Sequence, residues 1–352
     1  MEDLLASFNS VEVTSHPNTP YAEHPHFALY KPKFSGSSQE ERRKKVLEAR
    51  REARYDLIAH LRSIEETALP SEDDSSDGME CDQDSVCYRP PRKYRNFLML
   101  SEWLVDVPNN FATEYFAVPC PVGKRTLIVS GRGKTCAYTR SGYKLNQFPS
   151  LLPGGSRRYG SGEYAMLDCI YSQSNKTYYI LDVMCWVNQS VIGCDTFFRF
   201  EWLKARSNEA AEGIGEISRL NPFRFKRLPY YDCSPETLTN LLNGDGMPFS
   251  VDLDGVLFYN RNSHYTHGPT PLVGWLKAFM FPEILGINAA EKYQAERPAK
   301  YTNLSNHIQY AKELKEERMQ ERKKMEETKH NQIAESKGGK SMEVMEAEST
   351  EN

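Results

Sequence analysis

The sequence lacks the features that mark membrane, secreted and zinc-stabilised proteins. No uninterrupted apolar run reaches the roughly 18 residues that a membrane helix needs, so we expect no membrane partner. The N-terminus carries Glu2 and Asp3 where a secretory signal has basic residues, and no apolar segment follows. The eight cysteines contain no CxxC pair, which argues against structural zinc. We therefore expect no metal, and reduced cysteines in the cytosol or nucleus.

A strong charge of one sign is also missing. The 352 residues carry 44 Lys and Arg against 48 Asp and Glu, a net charge of −4. This balance argues against general nucleic-acid binding, and we expect no DNA partner. The charges are clustered, however: residues 65–84 contain nine acidic side chains and no lysine or arginine. Such a stretch is typical of a solvated linker, and a second reading is that it shields the basic segment before it.

That basic segment is predicted to be a helix. Ser37 or Ser38 is a suitable N-cap, Glu40 and Glu41 favour the first turn, and no glycine or proline follows before Pro70. Between Arg42 and Arg62 there are eight basic and three acidic side chains. A helix with so few apolar residues needs a partner for stability, and the charge predicts an acidic one.

The composition predicts five segments. Residues 1–23 are polar with spaced apolar residues, 24–64 combine an extended stretch with the basic helix, and 65–91 are the acidic linker. Residues 92–290 are aromatic and rich in β-strand patterns, and 291–352 are a charged tail, partly helical and partly disordered. The fold class predicted for the main domain is α+β, with mostly antiparallel strands. The clearest elements are strands at 125–130, 134–139, 166–171, 177–186 and 254–260 and helices at 196–206 and after Ser234.

Two of the four tryptophans are candidates for a ligand platform. Trp103 lies in LSEWLVDVP, and Trp275 lies in PLVGWLK after a loop rich in proline and glycine. Aromatic faces stack on bases with about 1–3 kcal/mol each, and a cationic methylated guanine adds about 0.5–2 kcal/mol. A tryptophan in a domain of this size is more often part of the core, so both readings stay open at this point.

The order of several motifs resembles the covalent nucleotidyltransferases, which include mRNA capping enzymes and nucleic-acid ligases. PVGKRTLIV, MLDCIY, YYILDVMCW, LDGVLFY and VGWLK follow in the expected order. Cys120, however, stands where the resemblance expects the nucleophilic lysine, and Val122 where it expects aspartate. Gly274 and Leu276 occupy the places of two phosphate-binding lysines. A cysteine does not replace the lysine amine in forming a phosphoramidate, so the resemblance implies a nucleotide pocket without catalytic residues.

A longer resemblance is to the snurportin family of nuclear import adaptors. It rests on LMLSEWLVDVP, CPVGKRTLIV, SGYKLNQFPSLLPGG, TYYILDVMCW, DGVLFY and TPLVGWL, and it extends to HPHFALYKPKF and ERRKK near the N-terminus. It covers about residues 24–286. The resemblance implies a domain similar to the guanylyltransferase of capping enzymes that binds the 2,2,7-trimethylguanosine cap of spliceosomal small nuclear RNA without catalysis.

The resemblance also implies roles for particular residues. Trp275 would stack on the base, Trp103 and Ser101 would admit its N2 methyl groups, and Gly123, Lys124, Arg125 and Arg140 would approach the cap and its phosphates. The importin-β-binding residues would be Arg42, Arg43, Lys44, Lys45, Arg50, Arg51 and Arg54. An export receptor acting with Ran-GTP would bind Met1, Leu4, Phe8, Val11 and Val13.

The sequence thus predicts an adaptor that shuttles between nucleus and cytoplasm and needs no cofactor. The main alternative is an active guanylyltransferase or ligase-like enzyme, which the missing lysines disfavour. An importin-α-like carrier would need helical repeats after the basic helix, and the sequence shows none.

Overall fold

The computed structural model describes residues 38–52, 94–157, 162–209, 211–244, 247–321 and 324–325. From Gln39 onward these residues belong to one compact unit. No helix among them is long and apolar enough to cross a membrane. The predicted export-receptor residues Met1, Leu4, Phe8, Val11 and Val13, the linker 65–91 and Arg54 lie outside the described residues.

The strands form two sheets that are mostly antiparallel, as predicted. The strands are β1 Met99–Trp103, β2 Tyr115–Pro121, β3 Lys124–Gly131, β4 Lys134–Thr139, β5 Lys144–Phe148, β6 Tyr164–Ser172, β7 Thr177–Trp186, β8 Gln189–Ser190, β9 Arg224–Arg227, β10 Tyr231–Asp232, β11 Leu253–Asn260 and β12 Gly268–Leu276. One sheet has the order β1-β12-β11-β2-β10, and the other has the order β5-β4-β3-β6-β7-β8. Only the β1–β12 and β7–β9 pairs are parallel among the described strand pairs.

The helices lie at the periphery of the sheets and at the end of the domain. They are α1 Gln39–Glu52, α2 Phe111–Glu114, α3 Thr196–Glu209, α4 Ala211–Ile214, α5 Pro235–Asn243, α6 Phe281–Ile284, α7 Glu291–Gln294 and α8, residues 304–321. α1 begins directly after Ser38, and α5 begins after Ser234, as predicted. The Ser234 hydroxyl accepts a hydrogen bond from the Thr237 backbone N–H at 3.2 Å, which caps the first turn.

The core is divided among three clusters because residues along the strands alternate between faces. Val118 and Cys120 of β2 point into the first cluster, which lies between the two sheets and also contains Leu127 of β3. Ala117 belongs to the second cluster, on the other face of the same sheet under the C-terminal helices. The third cluster lies between the second sheet and α3, where Leu203 is buried. The two sheets therefore share the first cluster, and a cavity can form at the edge of this cluster.

The hairpin formed by the predicted strands β3 and β4 shows how the local sequence sets this arrangement. Its two turn residues, Arg132 and Gly133, have φ values of 51° and 76°. Two successive residues with positive φ match the right-handed twist of a two-residue hairpin. The turn fixes the register in which Thr126 pairs with Thr139. This register also sets the positions of Arg125, which precedes Thr126, and of Arg140, which follows Thr139.

Candidate nucleotide-binding site

A cavity of about 200 Å³ opens at the edge of the core between the two sheets. It is lined by Ser101, Cys120, Pro121, Gly123, Arg125, Ile170, Asp254, Leu257 and Trp275. Sites for drug-sized ligands usually measure about 300–1,000 Å³, whereas a cavity of about 150 Å³ holds one benzene ring. This cavity therefore suits a single base, with the remainder of a ligand outside.

Trp275 forms one wall of the cavity, and its indole lies directly against the backbone of Gly255. A Cβ added to Gly255 would lie 2.5 Å from Cζ2 of Trp275 and 2.6 Å from the carbonyl oxygen of Leu276. These distances are far below van der Waals contact, so no side chain fits between the ring and β11. Because Trp275 also lines the cavity, the strand supports one side of the indole and the ring is held as a fixed wall.

Gly123 lies at the turn between β2 and β3 and makes an equally close approach. A Cβ there would lie 2.6 Å from the carbonyl oxygen of Tyr171 and 2.7 Å from Cγ2 of Ile170. The absence of a side chain lets the turn lie against β6 while Gly123 remains exposed at the cavity. Its backbone is therefore accessible from the cavity.

Arg125 lines the cavity and is held by a buried carboxylate. Its Nε and Nη2 donate to the two oxygens of Asp168, the latter at 2.7 Å, and Nη2 also donates to the carbonyl oxygen of Met99 at 3.2 Å. The Tyr265 hydroxyl donates to Asp168 Oδ2 at 2.7 Å and accepts from the Met99 N–H at 3.0 Å. Burial by itself would lower the pKa of the Arg125 guanidinium. The charge and hydrogen bonds of the Asp168 carboxylate oppose this effect, and the net pKa lies well above its usual value. The guanidinium therefore stays charged.

Two ion pairs keep the cavity close to electrically neutral. Asp168 balances Arg125, and the Asp254 carboxylate at the cavity is paired with Lys277. Such a site does not repel a cationic ring as an unpaired arginine would. Nη1 of Arg125 makes no hydrogen bond to any described residue and stays available to an acceptor on a ligand.

Cys120, which occupies the nucleophile position implied by the nucleotidyltransferase resemblance, is an inert thiol. It is 2% exposed and donates to the carbonyl oxygen of Val118 at 3.4 Å. Burial raises its pKa to about 12, and only the thiolate is strongly nucleophilic. At neutral pH this side chain is part of the cavity lining.

Lys124 and Arg140 lie near the cavity without lining it. Both are exposed. Thr126 pairs with Thr139, so the next position of the antiparallel register brings Arg140 opposite Arg125. The carbonyl oxygen of Arg140 accepts from Asn96 at 3.4 Å, which ties this end of β4 to the segment before β1. Both cations therefore lie at the end of the β3–β4 pair where Arg125 lines the cavity.

Trp103 lies beside Trp275 in the parallel β1–β12 pair but is not among the described residues that line the cavity. A register shift between Ser101 and Glu102 interrupts the alternation of β1. Ser101 therefore lines the cavity, while Trp103 packs against the second core cluster, with its ring 5.3 Å from that of His307. In this structure Trp103 supports the strand next to the cavity wall.

Some of the predicted importin-β-binding residues of the basic helix α1 contact the main domain, and others are exposed to solvent. Arg42 and Arg43 contact the main domain through Glu102 and through backbone carbonyls. Lys44 and Lys45 are exposed, and Lys44 pairs with Glu40 of the same helix at 3.2 Å. Arg50 and Arg51 belong to the helix as predicted.

Sequence reasoning missed the residues that position the site. Asp168, Tyr265 and Gly255 lie in strands or loops whose local patterns predict only core packing. One available signal was the aspartate within the otherwise apolar MLDCIY, because buried carboxylates are rare without a cationic partner. The contact of α1 with the domain had no local signal, since its partners are 60 or more residues away.

Two family models match the chain. The model described as "Snurportin1, m3G cap-binding domain" matches residues 97–278, and the model described as "Snurportin1" matches residues 24–63. The domain that carries the cavity is thus of the m3G cap-binding class. The chain belongs to the snurportin family.

Solved structures with similarity to the chain include DNA ligases. "Mycobacterial DNA ligase D complexed with ATP and MES" has a TM-score of 0.33 and 14% identity, covering 51% of this chain and 58% of that chain. "Chlorella virus DNA ligase-adenylate" has a TM-score of 0.33 and 12% identity, covering 51% of this chain and 67% of that chain. The chain thus spans less than two thirds of the length of the ligase D structure.

Proposed function

We propose that this protein binds the 2,2,7-trimethylguanosine cap of spliceosomal small nuclear RNA and acts as a nuclear import adaptor. The observation that carries the proposal is Trp275, whose indole lies directly against Gly255 and lines a cavity sized for one base. In this role the indole stacks on the methylated ring. Stacking and the cation–π attraction favour a methylated, positively charged guanine over an unmethylated one.

Some of the charged residues lie beside the base, and others bind the phosphates. The Arg125–Asp168 and Asp254–Lys277 pairs leave little net charge beside a cationic base, while Nη1 of Arg125 donates a hydrogen bond to the cap. Lys124 and Arg140, both exposed, bind the phosphates that follow the base. Gly123 lets the cap approach the backbone closely.

Discrimination in favour of the trimethyl cap comes from an apolar wall. Two methyl groups on N2 remove both donors of that amine, and a cap that keeps those donors loses about 1–3 kcal/mol against a surface without an acceptor. We assign this step to β1, where Ser101 lines the cavity and Trp103 packs against the second core cluster and supports the strand. The Trp103→Ala variant is expected to displace β1 and lower the preference for the trimethyl over the monomethyl cap, and an unchanged ratio in competition would show that Trp103 does not contribute to discrimination.

The same chain links its cargo to transport receptors. The helix that begins at Gln39 supplies basic residues to importin-β, with Arg42, Arg43, Lys44, Lys45, Arg50, Arg51 and Arg54 as the binding set. Met1, Leu4, Phe8, Val11 and Val13 bind an export receptor together with Ran-GTP. The protein therefore shuttles between cytoplasm and nucleus.

The protein performs this function without catalysis. Cys120 in place of the nucleophilic lysine, buried with a raised pKa, supports this part of the proposal, as does Val122 in place of aspartate. Incubation with radiolabelled GTP or ATP and divalent metal is expected to give no covalent nucleotide adduct on a denaturing gel. A stable adduct would favour the alternative, an active guanylyltransferase or ligase-like enzyme.

Retention on immobilised trimethylguanosine cap tests the proposal as a whole. We expect the full chain to be retained, and free trimethylguanosine cap to elute it at lower concentration than free monomethyl cap. Elution by both caps at the same concentration, or no retention, would contradict the proposed function.

A further inference from the structure

Asp254 is the one carboxylate among the described residues that line the cavity. The one cation among them, Arg125, is bound through two of its nitrogens to Asp168, whose side chain is fully buried. The two charges of the lining therefore differ in how they are compensated, because the partner of Arg125 is buried whereas the partner of Asp254 is partly exposed. The negative charge at the cavity wall comes from Asp254.

A bulge in β11 lets Asp254 line the cavity. Between two successive partners on β2, β11 advances from Leu253 to Gly255, so Asp254 is the extra residue. In an unbroken alternation Asp254 would share a face with Val256, which lies in the second core cluster. Bulges beside functional sites re-aim a side chain in this way. A polar residue thus reaches the cavity from a strand whose other side chains are buried.

The partner of this carboxylate, Lys277, is not among the described residues that line the cavity. Its Nζ donates to Oδ1 of Asp254, and the two side chains are 34% and 38% exposed. The other oxygen, Oδ2, accepts no hydrogen bond from a described residue. Water and salt weaken a pair that is this exposed. The Asp254 carboxylate therefore keeps a local negative potential on the cavity side.

The backbone fixes this carboxylate next to the stacking wall. Asp254 directly precedes Gly255, against which the indole of Trp275 lies. A ring that stacks on Trp275 therefore enters a cavity that also holds the negative charge. The effect of this charge reaches the cavity lining: the pKa of the Cys120 thiol is raised mainly by burial, and among the nearby charges Arg125 lowers it while Asp254 raises it.

We propose that Asp254 recognises the positive charge of a 7-methylated guanine ring and that Lys277 limits this attraction, so that the pair sets the selectivity for methylated over unmethylated caps. This inference rests on the proposed function and adds Asp254 to the cation–π contribution of Trp275. Methylation at N7 gives the ring a positive charge. A carboxylate beside the ring attracts the charged form and has little net attraction for the neutral form, and an ammonium paired with that carboxylate opposes the effect.

The Asp254→Asn variant removes the charge and keeps the shape of the side chain. The monomethyl (7-methylguanosine) cap and the unmethylated guanosine cap carry the same phosphates, so the ratio of their affinities isolates the effect of the 7-methyl group and its charge. We expect this ratio to fall about 3- to 5-fold, as for the loss of a partly exposed charge pair. The ratio of trimethyl to monomethyl cap is expected to stay as in the wild type, because both rings are charged.

Asp252→Asn is the matched control. It makes the same change two residues away, at an exposed side chain that does not line the cavity. Both affinity ratios are expected to equal those of the wild type in this variant.

The Lys277→Met variant tests the inference in the opposite direction. Loss of the ammonium leaves the Asp254 charge unopposed, so the ratio of monomethyl to unmethylated cap is expected to rise about 2- to 5-fold above that of the wild type. An ion pair that only joined β11 to β12 would cost stability in both variants without moving this ratio in opposite directions.

Fluorescence titration of the full chain with the three cap dinucleotides measures both ratios. An unchanged ratio of monomethyl to unmethylated cap in Asp254→Asn, or a shift in the same direction in Asp254→Asn and Lys277→Met, would overturn the inference. Failure of the wild type to bind any of the three caps would instead show that the proposed function is wrong.

Discussion

The position of Trp275 depends on the absence of a side chain at Gly255. The distance of 2.5 Å from its would-be Cβ to the indole leaves no room for a methyl group. The carbonyl oxygen of Leu276, 2.6 Å away, belongs to the backbone and does not move easily. The wall of the cavity is therefore set by β11 as much as by the tryptophan itself.

The Gly255→Ala variant is expected to move the indole and weaken cap binding about 10-fold or more, because stacking needs a parallel and unobstructed ring. The same overpacking is expected to lower the free energy of unfolding by about 1–3 kcal/mol. Tryptophan fluorescence titration with the cap, together with urea unfolding, measures both effects.

Gly274→Ala is the matched control for this variant. Its added Cβ would meet the side chain of Leu104, at 3.0 Å, in the second core cluster instead of the indole of Trp275. It is expected to cost stability while retaining most of the cap affinity. Equal cap affinity in Gly255→Ala and wild type would show that β11 does not position Trp275 for binding.

Asp168 is a positioning residue, since it contacts Arg125 and not the cavity. The Asp168→Asn variant leaves the Arg125 charge uncompensated near a cationic base, and removing one partner of a buried pair costs about 3–5 kcal/mol of stability. We expect the variant to lose affinity for the charged, 7-methylated cap more than for unmethylated guanosine cap. Competition between the two caps measures this ratio, and an unchanged ratio would reduce Asp168 to a purely structural role.

Cys120 gives a chemical test of its burial. With a pKa raised to about 12 and only 2% of its surface exposed, its thiol is expected to resist iodoacetamide at pH 8 in the folded chain and to react after unfolding. Peptide mass spectrometry reports the modified fraction at this position. Rapid alkylation in the folded state would show an accessible thiolate and reopen the question of a nucleophile in the cavity.

At the scale of elements, local patterns predicted the antiparallel strands and the capped helices. The glycines at 131 and 133 and the nearly continuous apolar run of 177–186 are sufficient for this purpose, because they depend on neighbours along the chain. The parallel pair β1–β12 was missed, since its two strands are separated by more than 160 residues and no local signal sets its register. Its bulge between Ser101 and Glu102 directs Trp103 to the second core cluster, whereas the sequence predicted that Trp103 lines the pocket.

The basic helix is a second case in which local sequence patterns predicted the element but not its long-range contacts. Its start after Ser38 and its charge were predicted from the sequence, and its need for an acidic partner follows from its few apolar residues. The sequence offered the linker 65–84 as a candidate shield, whereas the described contacts of Arg42 and Arg43 are with the main domain. Glu102 and Asp106 gave no such signal, because two isolated carboxylates next to a tryptophan are common on protein surfaces.

For the whole molecule, the two functions proposed for this chain meet on β1 and β12. Ser101 and Trp275 face the cavity, while Glu102 and Pro271 hold the helix. The proposed cargo and receptor sites are therefore joined by two strands and not only by the linker of residues 65–91.

Binding of the trimethylguanosine cap by Trp275 can be measured in one titration experiment. A trimethylguanosine cap dinucleotide is titrated into wild type, Trp275→Ala and Trp202→Ala, the last removing a partly buried tryptophan of α3 that does not line the cavity. The loss of stacking at about 1–3 kcal/mol predicts that Trp275→Ala binds about 10-fold or more weakly, while Trp202→Ala binds like the wild type. Equal affinity of wild type and Trp275→Ala would show that Trp275 does not bind the cap.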